Sequence, residues 1–196
     1  MRRLRLPAAL ATLAMLAALA ALAVLTGCAT VAPTRAEVPL LRLPPASLGR
    51  TLNLQQQITV QFPSPQGEQT RDMIAMLEAD AAHTRLAAVA GGQVLARIDW
   101  DGRDLRVTRA PWAPRELMPE RILSDLQLSL WPVEAIQAAL PDGWRVDATP
   151  AMRVLRYGDE VVAEVRYPDA TTTLFTQRRD GYRLTIRTLQ EEGKTP

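Results

Sequence analysis

The chain has 196 residues, 47% hydrophobic, 22% charged and 5% aromatic, with one Cys and one His, which suits one domain of ordinary globular composition. A zinc site of ordinary ligands, a Cys-His catalytic pair and a disulfide framework are all excluded within one chain by that single Cys and single His. The formal net charge of +2 drops to −1 once the first 27 residues are set aside, because Arg2, Arg3 and Arg5 go with them, so no basic footprint for nucleic acid remains.

Those first residues carry the strongest signal. Met1 to Arg5 is a basic n-region, and Leu6 to Val24 is an uncharged Ala/Leu-rich stretch, the pattern of a secretory signal. Leu25-Thr26-Gly27-Cys28 follows and resembles the bacterial lipobox, in which a Leu at −3 and a small residue at −1 let a peptidase cleave before a diacylglyceryl cysteine. The resemblance implies a signal peptide over 1–27 and lipidation at Cys28. Several acyl chains, at about 0.8 kcal/mol per buried methylene, hold a protein durably on a membrane. Ala29 and Thr30 stand where an Asp would favour inner-membrane retention, which implies an outer-membrane anchor with the domain facing the periplasm.

Residues 28–49 contain Pro33, Pro39, Pro44 and Pro45 and no sustained period, and so read as a largely disordered tether. From Thr51 the pattern becomes strict alternation, with Leu52, Leu54, Ile58, Val60 and Phe62 against Asn53, Gln55, Gln57, Thr59 and Gln61, which predicts a long strand with one wet face. Pro63 to Gly67 reads as the loop that ends it. In Arg71 to Ala79, Met73, Leu77 and Ala79 fall on one face and Ile74 and Met76 on the other, so both faces are apolar. Gly91-Gly92 and Asp101-Gly102 then punctuate a meander of three strands ending at Arg109.

The period lengthens next. Leu117, Ile122, Leu126 and Leu130 predict helix from about Arg115 to Leu130, with Pro119 near its first turn or between two short helices. A second short helix spans Val133 to Leu140, stopped by Pro141-Asp142-Gly143. Five strands follow, Trp144–Asp147, Met152–Tyr157, Glu160–Tyr167, Thr171–Gln177 and Tyr182–Thr188, with turn residues between them. The predicted class is therefore mainly β with helices (α+β): one curved antiparallel sheet or open half-barrel over 50–190, two to three short helices on its concave side, and a frayed tail over 191–196.

No constellation for catalysis emerges. His83 lacks a nucleophile elbow nearby, the acidic run Asp99 to Asp104 departs from a calcium loop at its Gly and its twelfth position, and Gly193-Lys194-Thr195 has no helix to follow it. No enzyme activity, cofactor or metal is expected. Arg178, Arg179, Arg183 and Arg187 read as the wet face of a strand. Met73, Ile74, Met76, Leu77, Ile122, Leu126 and Leu130 are the candidates for an apolar cavity wall, against the alternative that all seven are plain core.

Assembled, the lipobox, the strand-rich first half, the stretch Leu123 to Pro132, the helix ending in Leu140-Pro141-Asp142-Gly143 and the closing strands resemble a proteobacterial lipoprotein family of unknown function, often encoded in aryl-polyene and related lipid-biosynthesis clusters. The similarity covers about Pro44 to Leu189. A weaker likeness is to LolB-type lipoprotein acceptors, through the strand-helix-helix-strand order. It implies a LolA/LolB-like fold whose cavity takes a lipid, lipoprotein or polyene-lipid cargo, with a periplasmic carrier protein as a further partner. The protruding loop of such acceptors has no counterpart in the short turn Ala90 to Gln93. The competing expectation is an accessory scaffold lipoprotein of an envelope complex, with a filled barrel and an exposed apolar patch involving Trp112 or Trp131.

Overall fold

The computed structural model describes residues 36–113 and 118–191. The signal segment, Cys28 and its flanking residues up to 35, the start of the predicted first helix and the tail from 192 lie outside the described residues. From Val38 onward the chain forms a compact unit of its own.

Ten strands make one antiparallel sheet: β1 (Leu52–Ser64), β2 (Gly67–Ala79), β3 (Thr84–Ala90), β4 (Gln93–Trp100), β5 (Leu105–Arg109), β6 (Trp144–Thr149), β7 (Met152–Tyr157), β8 (Glu160–Arg166), β9 (Thr172–Gln177) and β10 (Tyr182–Glu191). The order across the sheet is β5-β4-β3-β2-β1-β10-β9-β8-β7-β6. Two meanders are thus joined by the pairing of β1 with β10, from Leu54 opposite Glu191 to Gln61 opposite Arg183. The turns carry the chemistry their tightness needs: Gly91 and Gly92 both have positive φ, which a two-residue hairpin with the right twist requires.

Two helices, α1 (Pro119–Leu130) and α2 (Val133–Ala139), lie between β5 and β6 in the chain. Those two strands are the opposite edges of the sheet, so the connection has to traverse one whole face, and this lays α1 across it. Pro119 occupies the first helical position, where its missing N–H costs nothing, and Glu120 favours the positive helix end. At the other end Arg153 Nη1 donates to Leu128 O (2.8 Å) and Trp131 O (2.7 Å), and the Tyr167 hydroxyl donates to Ser129 O (2.7 Å), so strands cap the carbonyls that the helix leaves open.

The alternation of β1 carries through the register. Leu52, Leu54, Gln56, Ile58 and Val60 stand opposite Ala79, Leu77, Ala75, Met73 and Arg71 on the face that α1 covers. At the Leu52 end this face is filled core, with Leu77 and Trp100 among the buried residues. At the Phe62 end it is not filled.

Three expectations are corrected. The tether reading fails for Val38 to Gly49, where Leu41, Leu43 and Leu48 are buried and Pro45–Leu48 forms a 3-10 turn. This strap is held by α1: Leu41 N donates to Ser124 Oγ (3.0 Å), Leu43 N donates to Gln127 Oε1 (2.9 Å), and Gln127 Nε2 donates back to Leu43 O (3.0 Å). A fully buried Gln supplies the pairing that a neighbouring strand otherwise would. The domain therefore begins at Val38 and not at residue 50. Second, Pro63 and Ser64 belong to β1 and the loop shrinks to Pro65-Gln66, because Pro63 lies beyond the last β1–β10 pair, where no ladder hydrogen bond is asked of it. Third, β2 starts at Gly67, four residues before the predicted strand, since its polar beginning pairs with β1 without any apolar alternation.

Candidate functional site

A cavity of about 810 Å³ lies between the sheet and α1. Residues from β4 and β9 both line it, though these strands stand five places apart in the sheet and would be about 24 Å apart if it were flat. The sheet must curve around the space. One wall is the helix stripe Ile122, Leu126 and Leu130, spaced at i and i+4. The facing wall comes from Ile58, Val60 and Phe62 of β1, Met73 of β2, Phe175 of β9 and Leu184 and Ile186 of β10.

Small side chains make the room. Ala75 of β2 stands opposite Ala88 of β3, which stands opposite Ala96 of β4, and all three line the cavity. A row of methyl groups across three strands leaves unfilled the depth that Leu or Val would take. Cavities this large normally cost a protein stability and persist where they hold something.

The space opens beside two exposed apolar residues. Trp112 and Met118, at either side of the undescribed residues 114–117, line the cavity and are 54% and 57% exposed. Arg71, Arg121 and Asp180 also line it. Arg121 Nε lies 4.0 Å from Asp180 Oδ2, and Arg121 Nη2 donates to Val38 O at 3.4 Å. Gly181 would bring a Cβ within 3.4 Å of the Pro63 ring, so the β9–β10 turn and the β1–β2 hairpin meet on this rim.

Deeper in, one carboxyl breaks the apolar wall. Asp125 of α1 is buried and accepts a short hydrogen bond from the Tyr182 hydroxyl of β10. Burial pushes the Asp125 carboxyl up to about 7 against the opposing pull of the Tyr182 bond and of Arg121. Burial, with the Asp125 charge beside it, also pushes the Tyr182 phenol up, so it remains a donor at every ordinary pH. Among the described residues no group of three or more His, Cys, Asp or Glu is placed to hold a metal.

Residues 53–190 match a protein family described as DUF3261, protein of unknown function. The chain belongs to the DUF3261 family. No curated protein matches it. Every cavity residue named above lies inside the DUF3261 segment, whereas the strap from Val38 to Leu52 lies before it and is still part of the packed domain.

Of the seven residues expected at an apolar cavity, Met73, Ile122, Leu126 and Leu130 line it. Leu77 shares their face but is fully buried in the filled part of the core. Ile74 and Met76 are placed on the outer face, opposite Gln57 and Gln55, and Met76 is 46% exposed. The correction has a simple cause: an unbroken apolar run such as Met73 to Leu77 does not say which parity faces in until its partner strand is known. Asp125, Tyr182 and the alanine row went unnoticed in the sequence. A signal existed for the first, since Asp125 sits three residues after Ile122 and one before Leu126, on the apolar side of its helix. His83, expected to be an ordinary surface residue, is part-buried with Nδ1 2.8 Å from Asp99 Oδ1, in an outer turn that Asp80 caps through the backbone N–H groups of Ala82 and His83.

Proposed function

We propose that this protein is a non-enzymatic lipoprotein that binds an apolar, lipid-like ligand in the cavity between α1 and the sheet, and receives it from or passes it to a membrane. The observation that carries this is the apolar cavity of about 810 Å³, within the range of built small-molecule sites and opening beside exposed Trp112 and Met118. Burying an acyl chain of ten or so methylenes there offers on the order of 8 kcal/mol before the costs of association. A scaffold with a filled interior has no use for the alanine row, which weighs toward a carrier or acceptor.

In this reading Cys28 is the acylated anchor, the outer membrane is the membrane concerned, and the domain faces the periplasm. The likeness to LolB-type acceptors agrees with the open antiparallel sheet and its two helices. A lipid, lipoprotein or polyene-lipid cargo and a periplasmic carrier protein as its donor complete the proposal.

Native mass spectrometry and lipid extraction test it, on the chain from Ala29 onward isolated from its own periplasm without detergent. The described core lies from Val38 onward, so this chain carries the whole of it. A stoichiometric co-purifying lipid or pigment is expected. A clean apo mass, together with no uptake of added lipids, would leave the scaffold as the better account.

A further inference from the structure

The charged groups that line the cavity are unequally paired. Arg71 projects from the inner face of β2, where it stands opposite Val60, and its guanidinium lies 5.5 Å from the centre of the Phe62 ring. No described carboxylate lies within ion-pair distance of it. The acids nearest in sequence or register are engaged elsewhere: Asp72 accepts from Thr59 Oγ1 (2.5 Å) on the outer face, and Glu68 pairs with Arg183 there. Arg121 has Asp180 only at the 4.0 Å limit of an ion pair. Asp125 is already bonded by Tyr182 and, with its pKa near 7, contributes less than a full negative charge. The lining thus holds two guanidiniums and three carboxyl groups, of which Asp72 is bonded to Thr59, Asp125 to Tyr182 and Asp180 lies beside Arg121, which leaves Arg71 as the guanidinium without an acidic partner.

We propose that the cavity takes an amphiphile with a single anionic headgroup, a phosphate or carboxylate held at the rim by Arg71 and Arg121 while its chain lies against Ile122, Leu126 and Leu130. This rests on the reading of the cavity as a ligand site. Guanidinium is suited to the task, since its fixed fork of donors matches the oxygens of either anion, and the partly apolar surroundings strengthen the contact. Asp125 lies deeper and is already bonded to Tyr182, and Asp180 sits beside Arg121, so neither is placed alone to meet a cationic headgroup.

Displacement of the uncharged fluorescent probe N-phenyl-1-naphthylamine separates the two readings, using the chain from Ala29 onward and twelve-carbon amphiphiles below their micelle concentrations. The probe is expected to bind. Dodecyl phosphate and dodecanoate should displace it at about tenfold lower concentration than dodecyltrimethylammonium, as one charge-assisted contact implies, and inorganic phosphate alone should not displace it. Arg71→Gln should abolish that preference, read as the ratio of anionic to cationic displacement on the same variant, and Arg71→Lys should retain part of it. Arg71 is exposed, so neither change threatens the fold. Equal displacement by anionic and cationic amphiphiles, displacement by inorganic phosphate alone, or a preference that survives Arg71→Gln would overturn the headgroup assignment and leave the cavity reading intact. Failure of the probe and of every amphiphile to bind would sink both.

Discussion

The Tyr182 hydroxyl donates to a carboxyl oxygen of Asp125 across the cavity wall, tying the middle of α1 to the first residue of β10. This pair links the cavity to pH. Asp125 is pushed up to about 7 in the folded protein from an ordinary value near 3.8, so the folded state holds its proton more tightly than the unfolded chain. The associated stability is complete below about pH 4 and is lost as pH rises through about 7, a difference on the order of 4 kcal/mol. Asp125→Asn, whose amide oxygen still accepts from Tyr182, should remove that loss. Urea unfolding at pH 5 and pH 8 should therefore show the variant gaining on the native chain at the higher pH; parallel profiles would refute the assignment.

The acid limb has a separate origin. Asp80, Asp101 and Asp169 are held below the usual carboxylate range by backbone N–H groups of their turns, from His83, Asp104 and Thr171 first. Their contribution is present above about pH 4 and is lost as pH falls through their lowered values. Replacing Asp169 with Asn should shift acid unfolding at pH 2 to 4 and leave the loss between pH 5 and 8 untouched, as a pH-stability curve would report.

Removing the phenol is a harsher change. Tyr182→Phe leaves a buried carboxyl without its donor, and an unmet buried group of this kind costs about 1–3 kcal/mol. Because the Tyr182 bond holds the Asp125 value down, the variant should also raise that value further, so that the loss with rising pH becomes larger and ends at a higher pH. Denaturant midpoints at pH 5 and 7 measure both effects.

The strap gives a prediction that does not involve the cavity. Gln127→Leu takes the partner from Leu43 N–H, and Leu43 O keeps only its bond from Trp100 Nε1 at 2.8 Å. A loss of about 2–3 kcal/mol is expected, with new protease cleavage between Val38 and Gly49. Limited proteolysis followed by mass spectrometry shows where the cuts fall.

The alanine row offers the converse experiment. Ala88→Leu fills the cavity from the sheet side, where the space already exists, so stability should change by less than about 1 kcal/mol while uptake of an apolar probe is lost. Probe titration and thermal unfolding on the same sample separate the two. A variant that unfolds at much lower temperature would mean that Ala88 is packed and does not face open space.

How much of this could be read in advance depends on distance along the chain. All ten strands and both helices were legible, because the alternation of β1 and the Gly91-Gly92 turn are local properties of a few residues. The pairing of β1 with β10 was not, since Ile58 and Ile186 meet across more than a hundred residues and neither names the other. The strap was misread for a related reason. Leu41, Leu43 and Leu48 have no period, and the prolines around them look like a linker until Gln127 is in place to receive their backbone. The cavity was half legible: the helix stripe repeats every four residues, but an absence of volume at Ala75, Ala88 and Ala96 becomes visible only when the three strands lie side by side.

The strap also settles where the chain enters the domain. It runs alongside α1 in the same direction, from Val38 at Arg121 to Leu43 at Gln127, so the polypeptide arrives at the end of the helix that borders the cavity rim. Under the proposal that Cys28 is an acylated anchor, the domain is held from its N-terminal side with its pivot beside the opening. Swinging would carry the far parts of the sheet through wide arcs and scarcely displace the mouth. Cys28 lies ten residues before Val38, a span of at most about 36 Å, so a bilayer holding that cysteine would keep the entrance within one short leash of its surface however the rest of the domain tumbled.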